Sequence, residues 1–369
     1  MNLKYKYSNL ASFASKDNNF LGRKYSYYPS NYRGEFQRDR DRVIHSNSFR
    51  RLKYKTQVFV YYEGDHFRTR LTHSLEVSQI ARSIARILKL NEDLCEVLSL
   101  AHDLGHTPFG HAGEKALTEC MDVDIFDHNI QSLRILLLLE NTYNQHKGLN
   151  LSINCIDGLV KHNGPIKNLK KFKNQLPEIF NYDINFSNSG SLEAQISSLA
   201  DDIAYNCHDI DDGLRAELFT KDELLNLKFL KILFKKNIKF SKEEIVRKLL
   251  KYLVTDLIEN SLNQIKITKI KNIKEVYNKK SNIISFSNNV YDGLNEIKEF
   301  LKHNMYNHKS IKKWNLKSEK IINVLFKYFK KNKKKITNFD IGFTDDRNIA
   351  DYISGMTDKY ALNIFNSIK

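Results

Sequence analysis

Seventeen positions, Leu98-Ser-Leu-Ala-His102-Asp103-Leu-Gly-His106-Thr-Pro-Phe-Gly-His111-Ala-Gly-Glu114, carry three histidines, an aspartate and a glutamate. Ahead of the first histidine, Cys95, Val97, Leu98, Leu100 and Ala101 read as the apolar side of a short helix that closes at Gly105. An imidazole and a carboxylate therefore emerge together at a helix end, followed by a Gly- and Pro-rich turn. Burying such groups without opposite charges costs on the order of several kcal/mol each, a large share of a domain's net stability. A cation and an anionic ligand that meet them explain the cluster more economically than packing does.

The same residue types recur at a distance. His73 follows Arg70 at the start of an amphipathic helix expected over 72–90, whose apolar side is read as Leu75, Ile80, Ala81, Ile84, Ile87 and Leu88. A second helix is expected over 192–213, where Asp201, Tyr205 and Asp209 recur every four residues on one stripe. His208 and Asp212 lie beside that stripe, and Ile196, Leu199, Ile203 and Cys207 occupy the opposite side. The acidic stripe is compatible with a solvent face, or with the metal end and the sugar or base end of one pocket. His128 opens a buried helical segment that includes Leu133, and a helix N-terminus there suits an anion. The ordered set of His73, His102-Asp103 and Asp201 offers two imidazoles and two carboxylates. That mixture suits Mn or Mg, with Fe, Co or Ni also compatible, better than a thiolate-preferring metal.

Only four prolines and fourteen glycines in 369 residues favour long helices over strands and turns. The net charge of +16 points to an anionic partner, nucleotide or single-stranded nucleic acid, although the lysines of 330–335 read equally as solvated surface. Arg38, Arg40 and Arg42 alternate with acids and precede Arg50 and Arg51; a solvated helix face and a phosphate cradle are both compatible with them. Residues 1–35 read as an extended arm, and 55–60 as a short extended piece before a turn at Gly64 and Asp65. Residues 161–165, Lys-His-Asn-Gly-Pro, read as a plain turn, and nothing in 220–340 is read as carrying chemistry. The four cysteines lack metal or disulfide spacing, the N-terminus lacks an apolar signal and no apolar run can span a bilayer. A cytoplasmic protein with buried thiols and no membrane partner is expected.

The His, His-Asp, Asp order resembles the signature of the HD phosphohydrolase superfamily. Residues 36–53, 64–87, 101–114 (AHDLGHTPFGHAGE), 126–132, 193–214 and 351–362 together resemble the bacterial deoxyguanosine triphosphate triphosphohydrolases and dGTPase-like proteins. The resemblance implies an all-α fold, an HD-domain helical core elaborated by additional C-terminal helices. The chain then divides into an N-terminal arm and Arg-rich helix (1–60), the HD domain (61–215) and a C-terminal helical region continuous with it (216–369). It also implies hydrolysis of a dNTP to deoxynucleoside and inorganic triphosphate. By the same resemblance His73, His102, Asp103 and Asp201 hold a divalent metal, and His111 is the catalytic imidazole that Glu114 orients. His128 is a second histidine on the phosphates, and Gln57, Arg70, Tyr205 and Asp209 contact sugar, phosphate and base. Family members are commonly homo-oligomers, often hexamers, and some respond to a dNTP activator. Two alternatives remain open at this point: another HD phosphohydrolase acting on a monophosphate or signalling nucleotide, and a single-stranded-DNA-binding protein with a structural metal.

Overall fold

The computed structural model describes residues 9–58, 67–122, 125–234, 240–336 and 344–368. The turn expected at Gly64 and Asp65 lies outside the described residues. The fold is all-α: among the described residues there are seventeen α-helices and no strand, only isolated bridges between Arg23 and Ser152 and between Thr56 and Thr69.

In chain order the first helices are α1 (Glu35–Ile44), α2 (Asn47–Arg51), α3 (Arg70–Ile87), α4 (Glu92–Ala101), α5 (Gly110–Cys120) and α6 (His128–Arg134). They continue with α7 (Ile153–Val160), α8 (Lys170–Gln175), α9 (Leu192–Arg215), α10 (Lys221–Leu225), α11 (Lys228–Leu233) and α12 (Lys242–Thr268). The C-terminal set is α13 (Ile273–Tyr277), α14 (Asn288–Leu301), α15 (Lys309–Lys331), α16 (Asp345–Ser354) and α17 (Asp358–Ser367).

Local chemistry fixes the two helices that matter most. Thr69 and Thr72 cap α3 reciprocally, each hydroxyl accepting from the other's backbone N–H. Its buried stripe runs through Val77, Ile80, Ala81 and Ile84, while Leu75 and Ile87, expected on the apolar side, are 50% and 56% exposed. Ser191 caps α9, and Ile196, Ile203, Cys207 and Ile210 along it are fully buried. The three helices α3, α4 and α9 pack against one another. That packing brings the first turn of α3, the residues just after α4 and the middle of α9 to one place. One apolar cluster extends from α3 and α9 into α12 and α14, and another joins α5 to α15, α16 and α17.

Buried polar clamps secure the N-terminal part. Residues 9–34 contain one 3-10 turn, Asp17–Asn19, and Glu193 at the start of α9 accepts from Ser15 N, Ser15 Oγ and Asn91 N at 2.9, 3.0 and 3.1 Å. The arginines of α1 are neither a solvated face nor a phosphate cradle. Arg40 pairs with Asp93 and Glu96, Arg42 donates to the carbonyls of Leu149 and Asn150, and Arg38 donates to that of Tyr28. They tie α1 to its neighbours, and none lines the cavity described below. All four cysteines are free thiols, three of them buried. Among the described residues no helix is long and apolar enough to cross a membrane.

Gly105 permits the closest approach in this region. Ser132 on α6 accepts from Gly105 N at 2.8 Å and donates to His102 O at 2.7 Å. A Cβ at Gly105 would lie 2.1 Å from His128 O and 2.3 Å from Ser132 N, both rigid backbone atoms. Gly105→Ala is therefore expected to push α6 off the His102–His106 turn at a cost of about 3 kcal/mol, measured by urea unfolding.

Candidate active site

His73, His102, Asp103 and Asp201 converge where α3, α4 and α9 meet. His102 Nδ1 donates to Ser99 O at 2.7 Å, which leaves the buried Nε2 without a hydrogen-bond partner. That nitrogen lies 3.4 Å from Asp103 Oδ1 and 3.5 Å from Asp201 Oδ1. A bare lone pair facing two carboxylates is repulsive unless positive charge sits between them. Burial opposes a charge on His102, yet Asp103 and Asp201 outweigh it and raise its pKa to about 9. The potential that holds a proton there also favours a divalent cation, and the nitrogen and carboxylate donors suit one. One ligand atom each from His73, His102 and Asp103 lies within 4.8 Å of the others.

Neighbouring groups orient these donors. His73 Nε2 is 2.9 Å from Asp201 Oδ1, and its Nδ1 is 3.2 Å from Nδ1 of His208, whose Nε2 lies 3.0 Å from Glu76 Oε2. Neutral His208 can donate from Nε2 to Glu76 and accept from His73 Nδ1, which turns His73 Nε2 to Asp201, where a proton or a divalent cation between the two satisfies the contact. Burial first, then His73 and Arg68, keep the His208 pKa well below its usual value. Arg70 Nη1 donates to Asp103 Oδ2 at 2.8 Å and His106 Nε2 lies 3.1 Å from Asp103 Oδ1. Burial favours the neutral acid at Asp103, but His102, Arg70 and His106 outweigh it and hold the group ionised. Asp202 faces elsewhere and pairs with Lys298 at 2.8 Å.

A second group lies beside the first. Glu114 on α5 accepts from His128 N at 3.0 Å and contacts Nδ1 of His128 at 2.9 Å and of His111 at 3.3 Å. The carboxylate thus orients both histidines. Burial would raise the Glu114 pKa, but contacts with His111 and His128 drive it far below the usual carboxylate range. The His106 and His128 rings stack with centroids 4.0 Å apart, and buried His106 Nδ1 has no hydrogen-bond partner.

Both groups line one cavity of about 440 Å³. Of the expected residues, Gln57, Arg70, His73, His102, Asp103, His111, His128, Asp201 and Tyr205 line it. Glu114 lies behind its two histidines. Asp209 does not line the cavity either, because the Tyr306 hydroxyl donates to its carboxylate and the Tyr306 ring lies nearly parallel to that of Tyr205. Burial lifts the Asp209 pKa to about 7 even with these hydroxyls beside it. Tyr306 and Asn315 reach the cavity from the segment read as carrying no chemistry. His162, in the stretch read as a plain turn, stacks on His102 and lies 3.4 Å from Asp201 Oδ2. No periodic or motif signal marked these residues, since only long-range packing places them here.

The helical core with its His, His-Asp, Asp convergence corresponds to what known families share. Residues 70–206 match a family model described as HD domain, and 284–367 match one described as a phosphohydrolase-associated domain. The chain is thus an HD-domain phosphohydrolase. It is 52% identical to the deoxyguanosinetriphosphate triphosphohydrolase-like protein of Pelagibacter ubique, over 98% of this chain and 99% of that one. Proteins of the same description from Rickettsia felis and Rickettsia rickettsii are 44% and 45% identical, over 97% of this chain and 98% and 97% of theirs. The chain belongs to this deoxyguanosinetriphosphate triphosphohydrolase-like family.

Two outcomes follow from the geometry. Asp201→Asn should weaken Mn²⁺ binding by about 100-fold in calorimetric titration, whereas Asp202→Asn should leave it within experimental error. Asp209 has a folded pKa of about 7 against an ordinary 3.8, so its contribution to stability is full at low pH. That contribution is lost as pH rises toward and through 7. Asp209→Asn should therefore raise Tm more at pH 8 than at pH 5 by differential scanning calorimetry.

Proposed function

We propose that the protein hydrolyses deoxynucleoside triphosphates to a deoxynucleoside and inorganic triphosphate, with dGTP the first substrate to try. The observation that carries this reading is the shared cavity, lined by the His73, His102, Asp103 and Asp201 donors, by Arg70, and by the His111 and His128 pair on Glu114. A divalent cation held by the four donors would supply Lewis-acid polarisation of a phosphate oxygen and a nucleophile near neutral pH.

The chain's own residues account for the rest. Water adds to the α-phosphorus, the bond to the 5′ oxygen breaks, and that oxygen leaves with a proton as the deoxynucleoside hydroxyl. With His111 Nδ1 committed to Glu114, Nε2 is the nitrogen that exchanges a proton with the leaving oxygen or with the attacking water. His128, held by the same carboxylate, offers its other nitrogen to phosphate oxygens. Arg70 fixes Asp103 and adds positive charge beside the triphosphate. Gln57, whose buried Oε1 lacks a hydrogen-bond partner, and Tyr205 receive the sugar. Tyr306 over Asp209 narrows that region against a 2′ hydroxyl.

Chromatography of products from each dNTP and rNTP with Mn²⁺ or Mg²⁺ tests this reading. Deoxynucleoside and triphosphate are expected, with rNTPs slower. His111→Ala should lower kcat by ~10²–10⁴-fold while Mn²⁺ binding persists. Nucleoside monophosphate with pyrophosphate, or diphosphate with phosphate, would contradict the proposal.

A further inference from the structure

A second cavity, of about 560 Å³, opens between α2, the turn after α6, and α16 and α17, within the size range of small-molecule sites. It shares no lining residue with the first. Arg51 lines it without an ionic partner: Nη2 donates to Ser48 Oγ at 2.9 Å, and the buried Nε has no hydrogen-bond partner. Among the described residues no carboxylate lies within 4.0 Å of this guanidinium.

The nearby acids are already committed. Glu140 accepts from Ser48 N and Ser48 Oγ at 2.7 and 2.6 Å. Asp351, in the cavity wall, takes Arg134 Nε at 3.0 Å and Arg347 Nη2 at 2.9 Å. Three guanidiniums therefore face two carboxylates in this region, a surplus of one positive charge, and Arg51 is the guanidinium without a direct carboxylate contact. Burial lowers the Arg51 pKa and Glu140 only partly opposes it, so an anion in the cavity would relieve a desolvated charge.

The other lining groups narrow the choice of anion. Tyr352, Tyr360 and Thr357 bring hydroxyls, and Ile135, Leu139 and Met356 bring apolar surface. A guanidinium fork with several hydroxyl donors matches the many acceptor sites of a phosphate better than the two oxygens of a carboxylate.

We propose that this second cavity binds a small organic phosphomonoester, its phosphate on Arg51 and its carbon body on Ile135, Leu139 and Met356. The residues that flank the 355–357 wall are bonded to the turn before His111. Lys55 Nζ donates to Ser354 O at 2.8 Å and to His106 O at 2.5 Å. Asp358 accepts from Thr56 N at 2.9 Å and from Phe109 N at 3.0 Å. Phe109 is left-handed, with φ of 64°, and stands two residues before His111. An occupant that orders residues 355–357 therefore bears on Thr56, His106 and Phe109, the neighbours of Gln57 and His111, through the flanking Ser354 and Asp358.

The test is titration of the full chain with phenyl phosphate in the absence of added metal, followed by amide hydrogen exchange. Slower exchange over 345–360 and a higher Tm are expected, with affinity at least tenfold weaker in Arg51→Gln and retained in Asp103→Ala. Leu139→Trp, which fills the cavity from a half-buried position, should abolish binding even if Arg51→Gln fails to fold. Protection confined to 102–111, affinity indifferent to both substitutions, or benzoate binding as tightly as phenyl phosphate would overturn the site. In the second arm, phenyl phosphate should change wild-type turnover and leave that of Arg51→Gln unchanged; protection over 345–360 without such a change would overturn the link. This arm alone rests on the proposed hydrolase reading, so its failure is separable from failure of the binding site.

Discussion

Negative charge concentrated at Asp103 and Asp201 is the constraint around which the core is arranged. Asp103 is buried and Asp201 faces the cavity, and neither is tolerable there alone. Arg70, His102 and His106 meet the first; His73, His102 and His162 meet the second. These partners come from different parts of the chain, so the charges specify one mutual placement of α3, α4 and α9. Such clusters contribute little net stability once desolvation is counted, and what they supply is specificity of arrangement. At His102 Nε2 the two carboxylates call for positive charge, and a divalent cation there would supply what a proton on His102 otherwise does.

Glu114 applies the same economy on the other side of the cavity. One carboxylate fixes two imidazoles of the cavity wall through their Nδ1 atoms. His111 lies in the first turn of α5 and His128 opens α6, and the left-handed Phe109 just before α5 is held by Asp358 at the start of α17. The C-terminal helices thus hold the turn before α5, although that contact spans 249 residues of sequence.

That span marks the boundary of what could be read from the sequence. The stripes of α3 and α9 and the His-Asp pair just after α4 are local, because helical period and residue spacing encode them, whereas the stop expected at Gly105 falls earlier, α4 ending at Ala101 and turns following it. Asp201 was separable from Asp202 by helical phase, and the Asp202–Lys298 contact agrees with that phase. Leu75 was misplaced because a helix flank holding one leucine resembles the core stripe until the neighbouring helix is known. The α1 arginines were ambiguous for a similar reason: whether a guanidinium meets water, phosphate or a carbonyl depends on residues a hundred positions away, such as Leu149 for Arg42. His162 and Tyr306 carried no pattern, and Asp209 gave no sign that a tyrosine from α14's C-terminal extension would cover it.

The most direct test of the central claim is anomalous diffraction from crystals of the full chain soaked in Mn²⁺. One dominant peak is predicted within bonding distance of His73, His102, Asp103 and Asp201, with His111 and His128 outside its coordination shell. A dominant peak among His106, His111, Glu114 and His128, or none near Asp103 at saturating Mn²⁺, would contradict the account.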